Sequence, residues 1–205
     1  MFTTTESHSR DRILETALEL FCRNGFAGTS IRQIAAKVGL SPSSLYNHFD
    51  GKDAILEALI ERFNPAHSAD RLSLPAYEAL NRDPNAFCRK YAGDWLNQWC
   101  DPNEQKFMEL LNSEPQRLSE HRAKFSETLF EREIKEVAYF FWGFARAGLM
   151  NAPDPVECAR LFMGGLTFVR SQYLLWPPKP AHKETVARAL DRVVSNFLHL
   201  TAPAR

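Results

Sequence analysis

The sequence predicts an all-α chain, with a small N-terminal three-helix domain containing a helix-turn-helix and a larger C-terminal helical domain. Three observations carry this. Apolar residues recur three and four apart along most of the 205 residues, the spacing of one helix face. Ser41-Pro42, Asp83-Pro84, Asp101-Pro102 and Asp154-Pro155 each put a capping oxygen before a residue suited to the first helical position. No stretch alternates apolar and polar residues between hairpin turns, so strands are not expected.

Composition narrows the function classes. With 44% hydrophobic and 24% charged residues the chain has the make-up of an ordinary globular protein. It shows neither a run of 18 apolar residues nor a signal-like start, so no membrane association and a cytoplasmic location are expected. Cys22, Cys88, Cys100 and Cys158 lie far apart without C-x2-C pairing, which speaks against zinc and against a disulfide framework and for reduced core residues. The histidines form no HExxH, and neither GxSxG nor a phosphate loop is present. Hence no metal, no cofactor and no enzymatic activity are expected. Glu131 and Glu133 read as exposed helix charges.

Taken in order, Met1 to Ser9 is polar and aperiodic and reads as an arm, with Arg10 and Arg12 the cations nearest to it. Ile13, Leu14, Ala17, Leu18, Phe21 and Cys22 predict a first helix from Ser9 to Asn24, stopped by Asn24-Gly25. Ile31, Ile34, Ala35 and Val38 give a second helix, closed by Gly39. Ser41 caps and Pro42 opens a third, in which Leu45 and Phe49 face inward while Ser43, Ser44, Tyr46, Asn47 and His48 face out. A short polar rod held by a partner helix has the shape that enters a major groove. Asp50-Gly51 then turns into a fourth helix, from Lys52 toward Asn64, with Ile55, Leu56, Leu59, Ile60 and Phe63 on its apolar face.

The pattern Thr29-(x)4-Ile34-Ala35-(x)3-Gly39-Leu40-Ser41-(x)3-Leu45-Tyr46-x-His48-Phe49-(x)2-Lys52-(x)2-Ile55-Leu56 resembles the N-terminal domain of the TetR/AcrR family of transcriptional regulators. The likeness covers about the first 60 residues. Ser43 stands where many relatives carry glycine, so base preference is not transferable. The resemblance implies base-edge contacts from Arg32, Ser44 and Asn47. It implies phosphate contacts mainly from Thr29, Ser43, Tyr46, His48 and Lys52. The 25 basic residues are matched by 25 acidic ones, so attraction to DNA has to come from a local patch. From Thr29 to Lys52 that patch holds Arg32, Lys37 and Lys52 against Asp50 alone.

The expected domains are 9–64 for DNA binding and 65–205 for effector binding and dimerisation. In the latter, helices are expected near Ala76 to Leu80, Pro84 to Trp99, Pro102 to Leu111, Leu118 to Ala147, Pro155 to Trp176 and His182 to Leu200. Apolar stripes on the last two, including Phe162, Gly165, Val169 and Tyr173, then Leu190, Val194 and Phe197, suggest a symmetric four-helix interface in a homodimer. Resemblance implies an effector pocket in this domain, for which Tyr91, Trp95, Trp99, Phe107, Phe141 and Trp142 are the candidates.

The function these expectations describe is a homodimeric, ligand-responsive regulator, a repressor of a palindromic double-stranded DNA operator. It would be released by a small apolar or aromatic effector. The competing reading is a helical ligand-binding or scaffolding protein without sequence-specific DNA binding, which the balanced charge leaves open.

Overall fold

A computed structural model of the chain describes residues 4–63, 71–127 and 131–203, and every regular element among them is helical. The chain divides into two compact units: Met1–Asn64 with Asp101–Lys124, and Pro65–Cys100 with Phe125–Arg205. The expected second domain of 65–205 therefore gives up 101–124 to the first unit. The expected boundary itself, at 64/65, lies outside the described residues.

The first unit opens with α1 (Thr4–Asn24), which begins five residues before the expected Ser9, so most of the polar segment read as an arm is helical. α2 (Ile31–Val38), α3 (Pro42–Tyr46) and α4 (Lys52–Arg62) follow. Their inward residues are the expected ones: Ile13, Ala17, Leu18 and Phe21 of α1, Ile34, Ala35 and Val38 of α2, Leu45 of α3, and Ile55, Leu56 and Leu59 of α4 are buried. α7 (Pro102–Ser113) and the start of α8 (Ser119–Glu127) complete this unit. α7 packs on α1, burying Phe107, Leu110 and Leu111. Polar contacts fasten it: the Cys22 thiol donates to the Lys106 carbonyl at 3.0 Å, and the Phe26 N–H donates to Glu114 Oε1 at 3.1 Å. Arg117 lies 3.6 Å from Asp53, and His121 lies 3.3 Å from Glu57, on α4.

The second unit contains α5 (Pro75–Glu78), α6 (Pro84–Trp99), α9 (Glu133–Arg146), α10 (Pro155–Arg170) and α11 (Lys183–Leu200). Asp83 and Asp154 cap α6 and α10 as their Asp-Pro pairs foretell, each accepting backbone N–H bonds from the first turn. Of the single helix expected from Leu118 to Ala147, the described residues include α8, Ser119–Glu127, and a π-helical turn at 131–132 that leads into α9, while 128–130 lie outside the described residues. A π turn takes up an extra residue and re-phases the stripe that follows. In that phase Ile134, Val137, Ala138, Phe141 and Phe144 all reach the core. A second π turn, Ser171–Leu175, ends α10.

Gly165 serves a close approach of helices within one chain. A Cβ there would lie 2.7 Å from Val193 Cγ1 of α11, closer than packed carbons come.

Candidate nucleic-acid interface and aromatic core

Local chemistry sets the α2–α3 corner. At the start of α2 the Ser30 N–H donates to Gln33 Oε1 at 2.7 Å and the Gln33 N–H donates to Ser30 Oγ at 3.3 Å, a reciprocal capping box. Gly39, at φ 82°, takes the left-handed conformation that ends α2, and the Leu40 N–H closes onto the Ala35 carbonyl at 2.9 Å. Ser41 Oγ accepts the Ser44 N–H at 3.0 Å, and Pro42 fills the first helical position. α3 is shorter than the expected rod over 41–49, ending at Tyr46, although the Phe49 N–H still reaches the Leu45 carbonyl at 3.1 Å.

With Leu45 and Phe49 buried, Ser43, Tyr46 and Asn47 are exposed and Ser44 and His48 half-buried. The outer face is a hydroxyl cluster, Ser41 with Ser43 at 2.9 Å and with Ser44 at 2.8 Å, followed by a phenol and an amide. Arg32, on α2, is exposed. These groups can offer donors and acceptors to phosphates and base edges.

Two expected contacts do not face outward. Thr29 is only 2% exposed, and its hydroxyl is turned to the Leu20 and Gly25 carbonyls at 3.1 and 2.9 Å, so it bonds the end of α1 rather than a phosphate. Lys52 donates to the Phe26 and Thr29 carbonyls at 2.6 and 2.9 Å and stands 4.3 Å from the Phe26 ring. Burial of those carbonyls in a tight turn explains why a cation is drawn inward here. Arg10 and Arg12 are likewise turned onto the fold, donating to the His48 and Val38 carbonyls at 2.9 and 3.0 Å.

In the second unit α6 aligns Tyr91, Trp95 and Trp99 on one buried face, with ring centroids 6.3 and 5.1 Å apart in succession. Phe141 of α9 meets Phe162 of α10 at 5.8 Å in the same core. The other two pocket candidates lie elsewhere. Phe107 is in the first unit, stacked on Phe63 at 4.8 Å, because α7 packs on α1. Trp142 is 47% exposed, stacked on Tyr139 and covered by Arg146, on the side of α9 away from Phe141.

The residues expected at a dimer interface are core residues of the monomer. Phe162, Val169, Leu190, Val194 and Phe197 are buried within the second unit. Gly165 abuts Val193, and Tyr173 is half-buried, its carbonyl accepting the Ala181 N–H at 2.8 Å. Periodicity finds the apolar stripes but does not say which of two stripes on a helix its own chain covers. The outward stripe, which the sequence reading missed, runs through Leu161, Gly164, Phe168 and Leu175; Phe168 is 68% and the adjoining Trp176 83% exposed. Glu133 also departs from expectation: Glu131 is exposed, but Glu133 is fully buried and accepts the Tyr91 hydroxyl at 3.0 Å. Its spacing of four to Val137 and eight to Phe141 puts it on the buried face of α9.

The first unit thus contains a helix-turn-helix, formed by α2 and α3. Residues 13–59 match the family model for "Bacterial regulatory proteins, tetR family". That segment, less than a quarter of the chain, resembles the family over α2, α3 and most of α1 and α4. Among its relatives are the transcriptional repressor DrrR1 of Streptomyces coeruleorubidus and the regulator YerO of Bacillus subtilis. The first is 33% identical over 93 residues, 43% of this chain and 34% of that protein. The second is 28% identical over 108 residues, 53% of this chain and 36% of that protein. The chain thus spans about a third of the length of the curated relatives it matches. A TetR-family regulator from Mesorhizobium loti has the same fold, with a TM-score of 0.70 at 21% identity, covering 98% of this chain and all of that one. The SmeT–triclosan complex superposes with a TM-score of 0.66 at 20% identity, covering 95% of this chain and 92% of that one.

Proposed function

We propose that the chain is a homodimeric, ligand-responsive transcriptional repressor that reads a palindromic operator through α3 and leaves it when a small aromatic molecule binds the second unit. The observation that carries this is α3 itself, capped at Ser41, anchored by Leu45 and Phe49, and presenting Ser43, Ser44, Tyr46 and Asn47 outward. Asn47, Ser44 and Arg32 are the base readers, since an amide pairs with adenine and a guanidinium with guanine. Ser43, Tyr46 and His48 hold phosphates. Lys52 positions the turn behind them.

The outward stripe of Leu161, Gly164, Phe168 and Leu175 on α10 is the dimer face, because a soluble monomer does not keep such a stripe in water. Dimerisation supplies the second reading helix that a palindrome needs. The similarity to the transcriptional repressor DrrR1 and to the triclosan complex of SmeT supports repression and an aromatic effector. Among the described residues no helix is long and apolar enough to cross a membrane.

Selection of duplexes from a random library by the purified protein tests the reading. A palindromic consensus is expected, with half-sites about one helical turn apart. A properly folded protein that enriches no duplex would reject it.

A further inference from the structure

Attraction to DNA requires cations on the surface that meets it, because neutralised phosphates release their counterions. The stretch from Thr29 to Lys52 carries three, Arg32, Lys37 and Lys52. The fold withdraws two of them. Lys37 is paired with Glu19 of α1 at 2.5 Å, and Lys52 is held by two carbonyls. Within that stretch Arg32 is left against Asp50, which is a weak field for a groove-reading helix.

α1 brings a cation to the same place. Arg10, 38 residues before His48, donates from Nη1 to the His48 carbonyl at 2.9 Å, at the exit of α3. Its guanidinium carbon lies 4.1 Å from the centre of the Phe49 ring. Phe49 is buried, so the ring is a fixed support. Two contacts of different kinds therefore hold the guanidinium, one by its face and one by its edge. The residue is exposed, and a guanidinium carries more donors than the one that the His48 carbonyl takes.

Two other arginines of this unit are neutralised by acids. Arg62 faces Asp11 and Glu15 at 3.5 Å each, and Arg117 faces Asp53 at 3.6 Å. Arg10 has no such partner among the described residues, although Asp11 is next to it in the chain. Capping the exit of α3 accounts for one donor. It does not account for an unpaired charge held in place, which is the form that matches a phosphate with two parallel bonds.

We propose that Arg10 is a backbone-phosphate contact of the reading face, supplied by α1 beside the exit of α3. The Phe49 ring and the His48 carbonyl hold it before DNA arrives, so little side-chain freedom is left to lose on binding. Such a contact reads no base; it fixes the register in which α3 does. This inference rests on α3 entering DNA.

The test measures affinity by fluorescence anisotropy between about 50 and 200 mM salt, on a duplex of mixed sequence and on the consensus from duplex selection. Arg10→Gln removes the charge and keeps a donor for the His48 carbonyl. It is expected to weaken binding to both duplexes alike and to reduce the slope of log affinity against log salt by about one for each copy bound. Arg10→Lys keeps the charge and should keep the slope. Arg23→Met is the control: Arg23 is exposed in the last turn of the same helix, about 20 Å further along and beyond the reach of a screened charge, so its loss should leave the slope as it was.

A slope unchanged by Arg10→Gln, or lowered equally by Arg23→Met, overturns the inference, as does a loss confined to the consensus duplex. If the glutamine variant proves unfolded by circular dichroism, Arg10→Met, which keeps the stem on the Phe49 ring, takes its place; if neither folds, Arg10 belongs to the fold alone and the inference fails. Binding of mixed-sequence DNA with the expected slope but without an enriched consensus rejects the operator reading alone. An enriched consensus whose slope ignores Arg10 rejects the phosphate contact alone, and no binding of either duplex rejects both.

Discussion

The Lys52 ammonium rests 4.3 Å from the centre of the Phe26 ring and donates to the carbonyl of that same residue at 2.6 Å. From the other element packed on Phe26, Arg117 brings a second cation to 4.4 Å of the ring, while Glu114 accepts the Phe26 N–H. Phe26 is therefore the point where α4 and the α7–α8 segment hold the turn that precedes α2.

Replacing Lys52 with Met keeps the stem and removes the donor. Its two carbonyl partners are then left underbonded, at an expected cost of about 1–3 kcal/mol in unfolding free energy. DNA affinity should fall alike for operator and random sequence, because the turn, and not a base contact, is disturbed. Thermal melts and gel shifts on both duplexes check this. Loss confined to the operator would mark Lys52 as a reader.

Asn47→Ala should do the reverse. The side chain is exposed, so stability should change by no more than about 0.5 kcal/mol. Discrimination against random DNA should drop by about 1–3 kcal/mol, the worth of one bidentate base contact. Competition binding with both duplexes measures the ratio.

The two stripes of α10 answer to different experiments. Phe162→Ala empties a fully buried site and is expected to cost about 3–5 kcal/mol of monomer stability. Phe168→Glu lies on the outward stripe and should leave the monomer folded while shifting sedimentation from dimer to monomer. A Phe168→Glu protein that still sediments as a dimer would move the interface elsewhere.

Burial pushes the Cys22 thiol up from 9.0 to about 11. A raised value means less thiolate at any pH below it, so near pH 8 Cys22 should carry about a hundredfold less of the reactive form than an ordinary thiol. Alkylation by iodoacetamide, followed by peptide mass, should therefore label Cys22 slowly in the folded protein and quickly in denaturant.

What the sequence made readable is what neighbouring residues decide. Gly39, Ser41-Pro42, Asp83-Pro84 and Asp154-Pro155 end or open helices where expected, because a cap acts on the three or four residues beside it. The outward set Ser43, Tyr46 and Asn47 followed from the burial of Leu45 and Phe49.

Non-local facts were not readable. Gly164-Gly165 announces a close approach, but nothing local says that Gly165 meets Val193 of its own chain. Thr29 and Lys52 are polar residues beside a reading helix, yet carbonyls 4 to 26 residues away claim them. Glu133 looks like any helix charge, yet the Tyr91 hydroxyl, 42 residues away, bonds it in the core. Phe107 carries no mark that α7 belongs with α1.

That last point bears on how the unit that carries α3 can be transplanted. Because Leu110 and Leu111 of α7 are buried in the unit that carries α3, that unit is not a single stretch of chain. A chimaera that transplants only the leading segment onto a foreign receptor brings α1 without the surface it was matched to. Exchange of operator specificity between receptors of this architecture requires either two-piece grafts or substitutions limited to the exposed side of α3.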